Sequence, residues 1–191
     1  MTNVNYVSEL LERSFTINNK EVIDKHQVSF EVEKQDVHQI LSVLKTEGWI
    51  QLSYLSAIDW IDENEFELVY ILMNWERPVH IQIRTRIERE NATMNSIMPI
   101  FEGCKYYERE VHEFFGIKFP GNPDHEKQLI LENWDDMPPM RKDFDPRAYS
   151  DAHFAKREYT TDFSNLNNEP SKQAKRNERK NRTLRFKGGK K

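Results

Sequence analysis

The spacing of apolar residues changes several times along the chain, and each change marks an element. Val7, Leu10 and Leu11 sit at helical spacing and predict a short amphipathic helix. Val28, Phe30 and Val32 alternate with Ser29, Glu31 and Glu33, as in a half-buried strand. Asp36 is placed to cap a helix carrying Val37, Ile40, Leu41 and Leu44 at i, i+3, i+4, i+7, and Gly48 is placed to stop it.

Ile50, Leu52 and Tyr54 alternate within an aromatic stretch from Trp49 to Ile61, which predicts a strand and then a turn near Asp62-Glu63-Asn64. Phe66 to Met73 is a nearly unbroken apolar run, as in a central strand. Val79, Ile81, Ile83, Thr85 and Ile87 alternate with polar residues, so a hairpin across 74–78 is predicted. Thr93 opens a helical pattern with Met94, Ile97, Met98 and Phe101. A second helix is predicted from about Lys105 to Phe115, with Gly116 at its end. This order predicts an α+β fold, with helices packed on a mostly antiparallel sheet and an extended C-terminal segment after it.

That segment has its own character. Five of the eight prolines fall between Lys118 and Arg147 (Pro120, Pro123, Pro138, Pro139, Pro146), which forbids long regular elements. The same stretch carries Phe119, Leu129, Ile130, Leu131, Trp134, Met137, Met140 and Phe144. Apolar surface on an irregular segment needs cover, and a partner protein supplies it. The expected organisation is an α+β domain over 1–117, a partner-docking segment over 118–159, and a basic tail over 160–191.

Charge sharpens the last boundary. Ser171 to Lys191 holds ten basic residues and one acid, so it carries +9 out of a chain total of −4. The body before it is therefore at −13. The tail suits a solvated end, an arm on an acidic protein or anionic lipid, or an arm on nucleic acid. Aromatics interleave poorly there, with Phe186 alone, and an acidic body repels a polyanion, so nucleic acid is not expected as a partner. No run approaches the length of a membrane span, and the N-terminus lacks a secretory pattern. The chain reads as cytosolic.

Candidate chemistry is sparse. One cysteine, Cys104, excludes an intrachain disulfide or a thiolate-only metal site. It sits beside Lys105 at a helix start, which favours either a packed thiol or an activated one. No HExxH, GxGxxG, GxxxxGK[ST] or GxSxG occurs, and the six histidines are scattered. The densest polar cluster is Glu108-Arg109-Glu110 with Glu113. Arg109 and Glu113 are i, i+4 and can pair, either as a solvated ion pair or as an interface latch. Arg141-Lys142-Asp143-Phe144 reads as a surface turn or a docking site for an acidic partner.

The order of these segments resembles a known family. Tyr107-Glu108-Arg109-Glu110-Val111-His112-Glu113-Phe114-Phe115-Gly116-Ile117 is similar to the YEREVxDxFGI signature of the 30 kDa subunit of respiratory complex I, the NADH-quinone oxidoreductase. Phe119-Pro120-Gly121-Asn122-Pro123-Asp124 resembles that family's F-x-G-H-P-D, and Leu129-Ile130-Leu131 with Trp134 its L-L-P-x-x-W. Pro139-Met140-Arg141-Lys142-Asp143-Phe144 resembles P-L-R-K-D-F. Upstream, Leu55-Ser56-Ala57-Ile58-Asp59 and Phe66-Glu67-Leu68-Val69-Tyr70 resemble the family's strand region. Glu113 replaces the signature Asp, and Asn122 replaces the family's His. The resemblance covers roughly 28–147, and the same type of subunit occurs in membrane-bound [NiFe]-hydrogenase complexes.

The resemblance implies a non-catalytic scaffold subunit of a complex I-type NADH:quinone oxidoreductase. It implies no catalytic, cofactor-binding or metal site in this chain, with NADH, flavin, iron–sulfur clusters and quinone held by partner subunits. The implied partners are the large quinone-site (49 kDa-type) subunit and iron–sulfur subunits, with the membrane arm contacted indirectly. The implied place is peripheral, on the cytoplasmic side of the membrane. Glu108, Arg109, Glu110 and Glu113 would orient the signature helix at the interface between subunits. Gly116, Gly121, Pro123 and Asp124 would shape the exit turn, and Arg141, Lys142, Asp143 and Phe144 would dock the extended segment.

Overall fold

A computed structural model describes residues 3–155 and divides the chain into two compact units, Met1–Pro146 and Arg147–Lys191. The first unit is an α+β domain around a five-stranded sheet. Its elements are α1 (Asn3–Glu12), β1 (Ile17–Asp24), β2 (Gln27–Val32), α2 (Val37–Thr46), β3 (Gln51–Trp60), β4 (Glu65–Met73), β5 (His80–Glu88) and α3 (Cys104–Phe115). The strand order is β1-β2-β5-β4-β3. β2 and β5 pair in parallel and every other neighbour is antiparallel.

The expected elements follow from their patterns. β4 and β5 form the predicted hairpin, with Phe66, Leu68, Tyr70 and Leu72 beside Ile81, Ile83 and Ile87 in the core. β4 runs back along β3 after a 3₁₀ turn (Ile61–Glu63) closed by Asn64 in the left-handed region. In α2, Val37, Ile40, Leu41 and Leu44 are the buried stripe. It ends in a Schellman pair: Gly48 N–H donates to Lys45 O and Trp49 N–H to Leu44 O. Trp49, Phe30, Phe66, Phe119 and Tyr70 are the largest fully buried side chains. Each such burial stabilises by roughly 1.5–3 kcal/mol before entropy is counted.

Two expectations need correction, and one strand carries no signal in the sequence. The side chain of Asp36 makes no cap hydrogen bond, and its backbone is already in the helical region. Residues 17–24 form β1, which apolar periodicity does not announce because nearly every residue of it is exposed. The predicted helix from Thr93 through Phe101 does not form. Instead Thr93 bridges Lys118 in parallel, Met94 N–H donates to Lys118 O and Ser96 N–H to Pro120 O. Pro99 biases Met98 away from helical geometry, and these backbone partners hold 93–96 in an extended form, while Ile100 N–H and Phe101 N–H turn back to Ile97 O in a single turn.

The same pairing moves a boundary. Residues 118–146 belong to the sheet domain, because Ile117 and Phe119 are buried in its core and 118–120 pairs with 92–96. The break falls after Pro146, not after residue 117. In the second unit, Tyr149 stacks on His153 (4.0 Å between ring centroids) within α4 (Pro146–His153), and Phe154 is exposed. The expected basic tail, 160–191, lies outside the described residues. No helix among the described residues is long and apolar enough to cross a membrane.

Candidate functional site

Helix α3 carries the signature and organises everything around it. Cys104, Glu108, Val111 and Phe115, at i, i+4, i+7 and i+11, face the interior. A carboxylate therefore sits on an apolar stripe, and Glu108 is fully buried. Its Oε2 accepts from Ser96 Oγ and Asn122 Nδ2, both at 2.8 Å. Its Oε1 accepts from Ile97 N–H at 2.9 Å and from the Cys104 thiol at 3.2 Å. One side chain thus joins the irregular 96–97 segment, the start of α3 and the turn at Asn122. Four donors make burial of the charge tolerable.

The cluster decides the state of Cys104. Burial, and then the Glu108 carboxylate, push the thiol well above its ordinary range, so it is packed and Lys105 does not activate it. Tyr70 is likewise pushed up, by burial first and by Glu108 and Cys104 after it. Glu108 does not pair with His112, whose Nδ1 lies 2.9 Å from Ile117 O.

Arg109 and Glu113 point outward, but they do not pair with each other: no ion pair joins them among the described residues. Both hold the backbone of the extended segment. Arg109 Nε donates to Lys127 O (3.1 Å) and a terminal nitrogen to Gln128 O (2.6 Å). Glu113 accepts the N–H groups of Leu129 (2.9 Å), Ile130 (2.9 Å) and Leu131 (3.0 Å). The cation takes carbonyls and the anion takes amides, so the two side chains act as a latch on 127–131. An i, i+4 rule cannot foresee this, because backbone groups of an irregular loop are stronger competitors than an exposed partner. Glu110, between them, is half-buried beside Tyr54, Phe114 and Met140.

A second anchor lies at the far end of the segment. Arg89 makes a two-pronged contact with the buried Asp59, at 2.8 and 3.1 Å, and reaches Asp143 at 2.6 Å. Asp59 also accepts the Lys142 N–H at 2.8 Å. Burial alone would raise the Asp59 pKa, but the Arg89 fork and that N–H outweigh it and hold the carboxyl below its usual value. Asp143 is lowered by Arg89 first. Arg89 itself is pushed up, chiefly by Asp59. Arg141 lies over the Phe66 ring at 5.6 Å and Lys142 over the Trp60 ring at 5.7 Å. Asp59 and Arg89 are not site candidates by sequence. The usable signal is Asp59 standing inside one of the quoted motifs, with Arg89 one residue past the end of β5.

The two candidate glycines lie in turns with positive φ. Gly116 ends α3 at φ +80°, where an added Cβ would lie 3.2 Å from Pro138 Cγ. Gly121 has φ +100° and packs against Ser96. Asn122, in the position of the family's His, reaches Glu108 and accepts the Asp124 N–H at 3.1 Å. Asp124 is half-exposed and held below its usual pKa chiefly by Lys127, at 2.6 Å; Pro123 is exposed beside it. Phe144 packs edge-on against Trp134 at 5.5 Å. Met140 N–H donates to Phe114 O at 3.0 Å.

The structure therefore turns most of the candidate residues toward holding one segment. Glu108 is interior and cannot touch another chain. What faces outward is the segment's apolar side chains: Ile130 (59% exposed), Met137 (39%) and Met140 (57%). Ile130 sits where Glu113 holds its N–H, and Met140 where Phe114 holds its own, so both emerge near the C-terminal end of α3. Among the described residues no group of three His, Cys, Asp or Glu side chains is arranged to hold a metal ion.

The chain is similar to several known proteins. The chain is 29% identical over 154 residues to a subunit of the NADH-quinone oxidoreductase of Rickettsia prowazekii, covering 78% of this chain and 77% of that protein. It is 31% identical to a subunit of the F(420)H(2) dehydrogenase of Methanosarcina mazei, over 60% of this chain and 73% of the relative. Against the mitochondrial NADH-ubiquinone oxidoreductase 30.4 kDa subunit of Neurospora crassa, 29% identical over 68% of this chain, it spans about half (47%) of the relative's length. Its fold matches a chain in the membrane-bound sulfane sulfur reductase, an archaeal respiratory membrane complex, with TM-score 0.76, 30% identity, 85% of this chain and 98% of that one covered. A trypsin-resistant fragment of Nqo5 shares the fold, with TM-score 0.54 and 19% identity over 65% of this chain and 99% of the fragment. The model of the family "Respiratory-chain NADH dehydrogenase, 30 Kd subunit" matches residues 30–150, from β2 through the second anchor, and the chain belongs to that family.

Proposed function

We propose that the chain is a non-catalytic scaffold subunit of a complex I-type oxidoreductase, bracing its large quinone-site subunit. The observation that carries this reading is the extended segment. Its backbone is fixed at both ends, by Arg109 and Glu113 at 127–131 and by Asp59 and Arg89 at 142–143, while Ile130, Met137 and Met140 remain exposed. A segment held in shape with its apolar side chains outward is pre-organised for a partner surface. The electron carriers (NADH, flavin, iron–sulfur clusters and quinone) would reside in the neighbouring subunits, and the complex would lie on the cytoplasmic face of a membrane.

A second reading keeps the scaffold and changes the complex. The similarity to a subunit of a dehydrogenase named for F(420)H(2) supports a complex whose electron donor is not NADH, and the motif resemblance extends to [NiFe]-hydrogenase-type assemblies. Purification of the native complex through a tag on the full chain, with identification of the co-purifying chains, separates them. An NADH-oxidising subunit supports the first reading and a [NiFe]-ligand large subunit the second. Recovery of the chain without any oxidoreductase partner contradicts both.

A further inference from the structure

We infer that the cavity between α3 and the edge strand β3 receives one arginine or lysine side chain from a neighbouring subunit, with Glu110 as its counter-charge. The inference rests on the scaffold reading and names the chemistry of one contact within it. The cavity has a volume of about 180 Å³, in the range of a single long side chain, and Tyr54, Phe114, Met140 and Glu110 form its walls.

Glu110 differs from its neighbours on the helix. Glu108, Arg109 and Glu113 each engage two or more groups of this chain. The Glu110 carboxylate engages none by hydrogen bond or ion pair among the described residues, although it is half-buried against an apolar lining. A carboxylate in that setting loses solvation that a cation restores. The remaining walls suit the rest of such a side chain. An aliphatic stem packs on Phe114 and Met140, and a cationic head lies against the Tyr54 ring. Arginine fits better than lysine, because its planar fork can meet the carboxylate and the ring together.

The walls are fixed in advance and open to the outside. Tyr54 is held edge-on by Tyr107, at 6.5 Å between ring centroids, and Met140 by its backbone bond to Phe114. Tyr54 is 45% exposed and Met140 57% exposed. β3 is the last strand of the sheet, so no further strand of the described chain lies beyond it.

The test uses the full chain in its native complex. With Met140→p-benzoylphenylalanine, illumination should attach the chain to a neighbouring subunit within a few residues of an arginine or lysine. Glu110→Arg should speed release of that subunit by about tenfold or more. Replacing the identified basic residue by Glu should restore retention of the Glu110→Arg chain. Glu110→Gln and Glu110→Arg should both keep the wild-type unfolding midpoint, which separates a docking defect from a folding defect. A cross-link to no subunit, or to a stretch without a basic residue, overturns the assignment, as does unchanged retention of Glu110→Arg. If the wild-type chain still co-purifies with oxidoreductase subunits in those cases, the cavity assignment alone has failed. If it does not, the scaffold reading has failed with it.

Discussion

Glu108 illustrates how a charged residue can belong to the interior of a fold. Its position in a charged run suggests a surface, yet it is at i+4 from Cys104 and i−3 from Val111, on the buried stripe of α3. Its four donors are neutral, so the carboxylate's full acceptor capacity matters more than any single ion pair. Glu108→Gln keeps the shape but turns one acceptor into a donor facing the Ser96 or Asn122 side. It should destabilise the chain by about 2–4 kcal/mol in denaturant unfolding; a loss under about 0.5 kcal/mol would contradict the assignment. Asp143 makes a prediction in pH. Its folded-state pKa is lowered, mainly by Arg89, so its contribution is complete above the unfolded carboxylate value, near 4. That contribution is lost as pH falls through the lower folded-state value. The stability difference between wild type and Asp143→Asn should therefore be present at neutral pH and shrink below about pH 4. A difference that does not change with pH would count against the anchor.

At the scale of elements, the latch on 127–131 has a local signature. Glu113→Ala removes the acceptor of three backbone N–H groups, so hydrogen exchange at Leu129, Ile130 and Leu131 should accelerate while the sheet stays protected. Unchanged exchange at those amides would contradict the latch. Elements with an apolar period are legible in the sequence: α2, β4, β5 and α3 all stand where Ile40, Leu44, Leu68, Ile83 and Val111 place them. β1 is illegible because its residues face water on an outer strand, leaving no alternation to read. The 93–101 stretch has helical spacing but is decided by non-local partners, Lys118 and Pro120, and by the Glu108 carboxylate on Ile97 N–H. Of the site, Arg109 and Glu113 stand out in the sequence as residues that hold something. Their partners do not, because backbone carbonyls and amides carry no signal in side-chain identity.

For the whole molecule, the family motifs mark the points where a proline-rich segment is fastened to a sheet domain. The signature on α3 supplies Glu108, Arg109 and Glu113, the strand motif supplies Asp59, and the late motif supplies Lys142 and Asp143. On the proposed scaffold reading, the α+β domain is a frame for a surface. Replacement of exposed residues on the segment tests whether the surface is used. Ile130→Asp with Met137→Asp adds charge where no side chain of the core is disturbed, so the isolated chain should fold with an unchanged midpoint. Purified from detergent-solubilised membranes through a tag, the wild-type chain should bring down the large quinone-site or [NiFe]-type subunit in fixed ratio, and the doubly substituted chain should lose it. Recovery of the same subunits in the same ratio with the substituted chain would contradict the account.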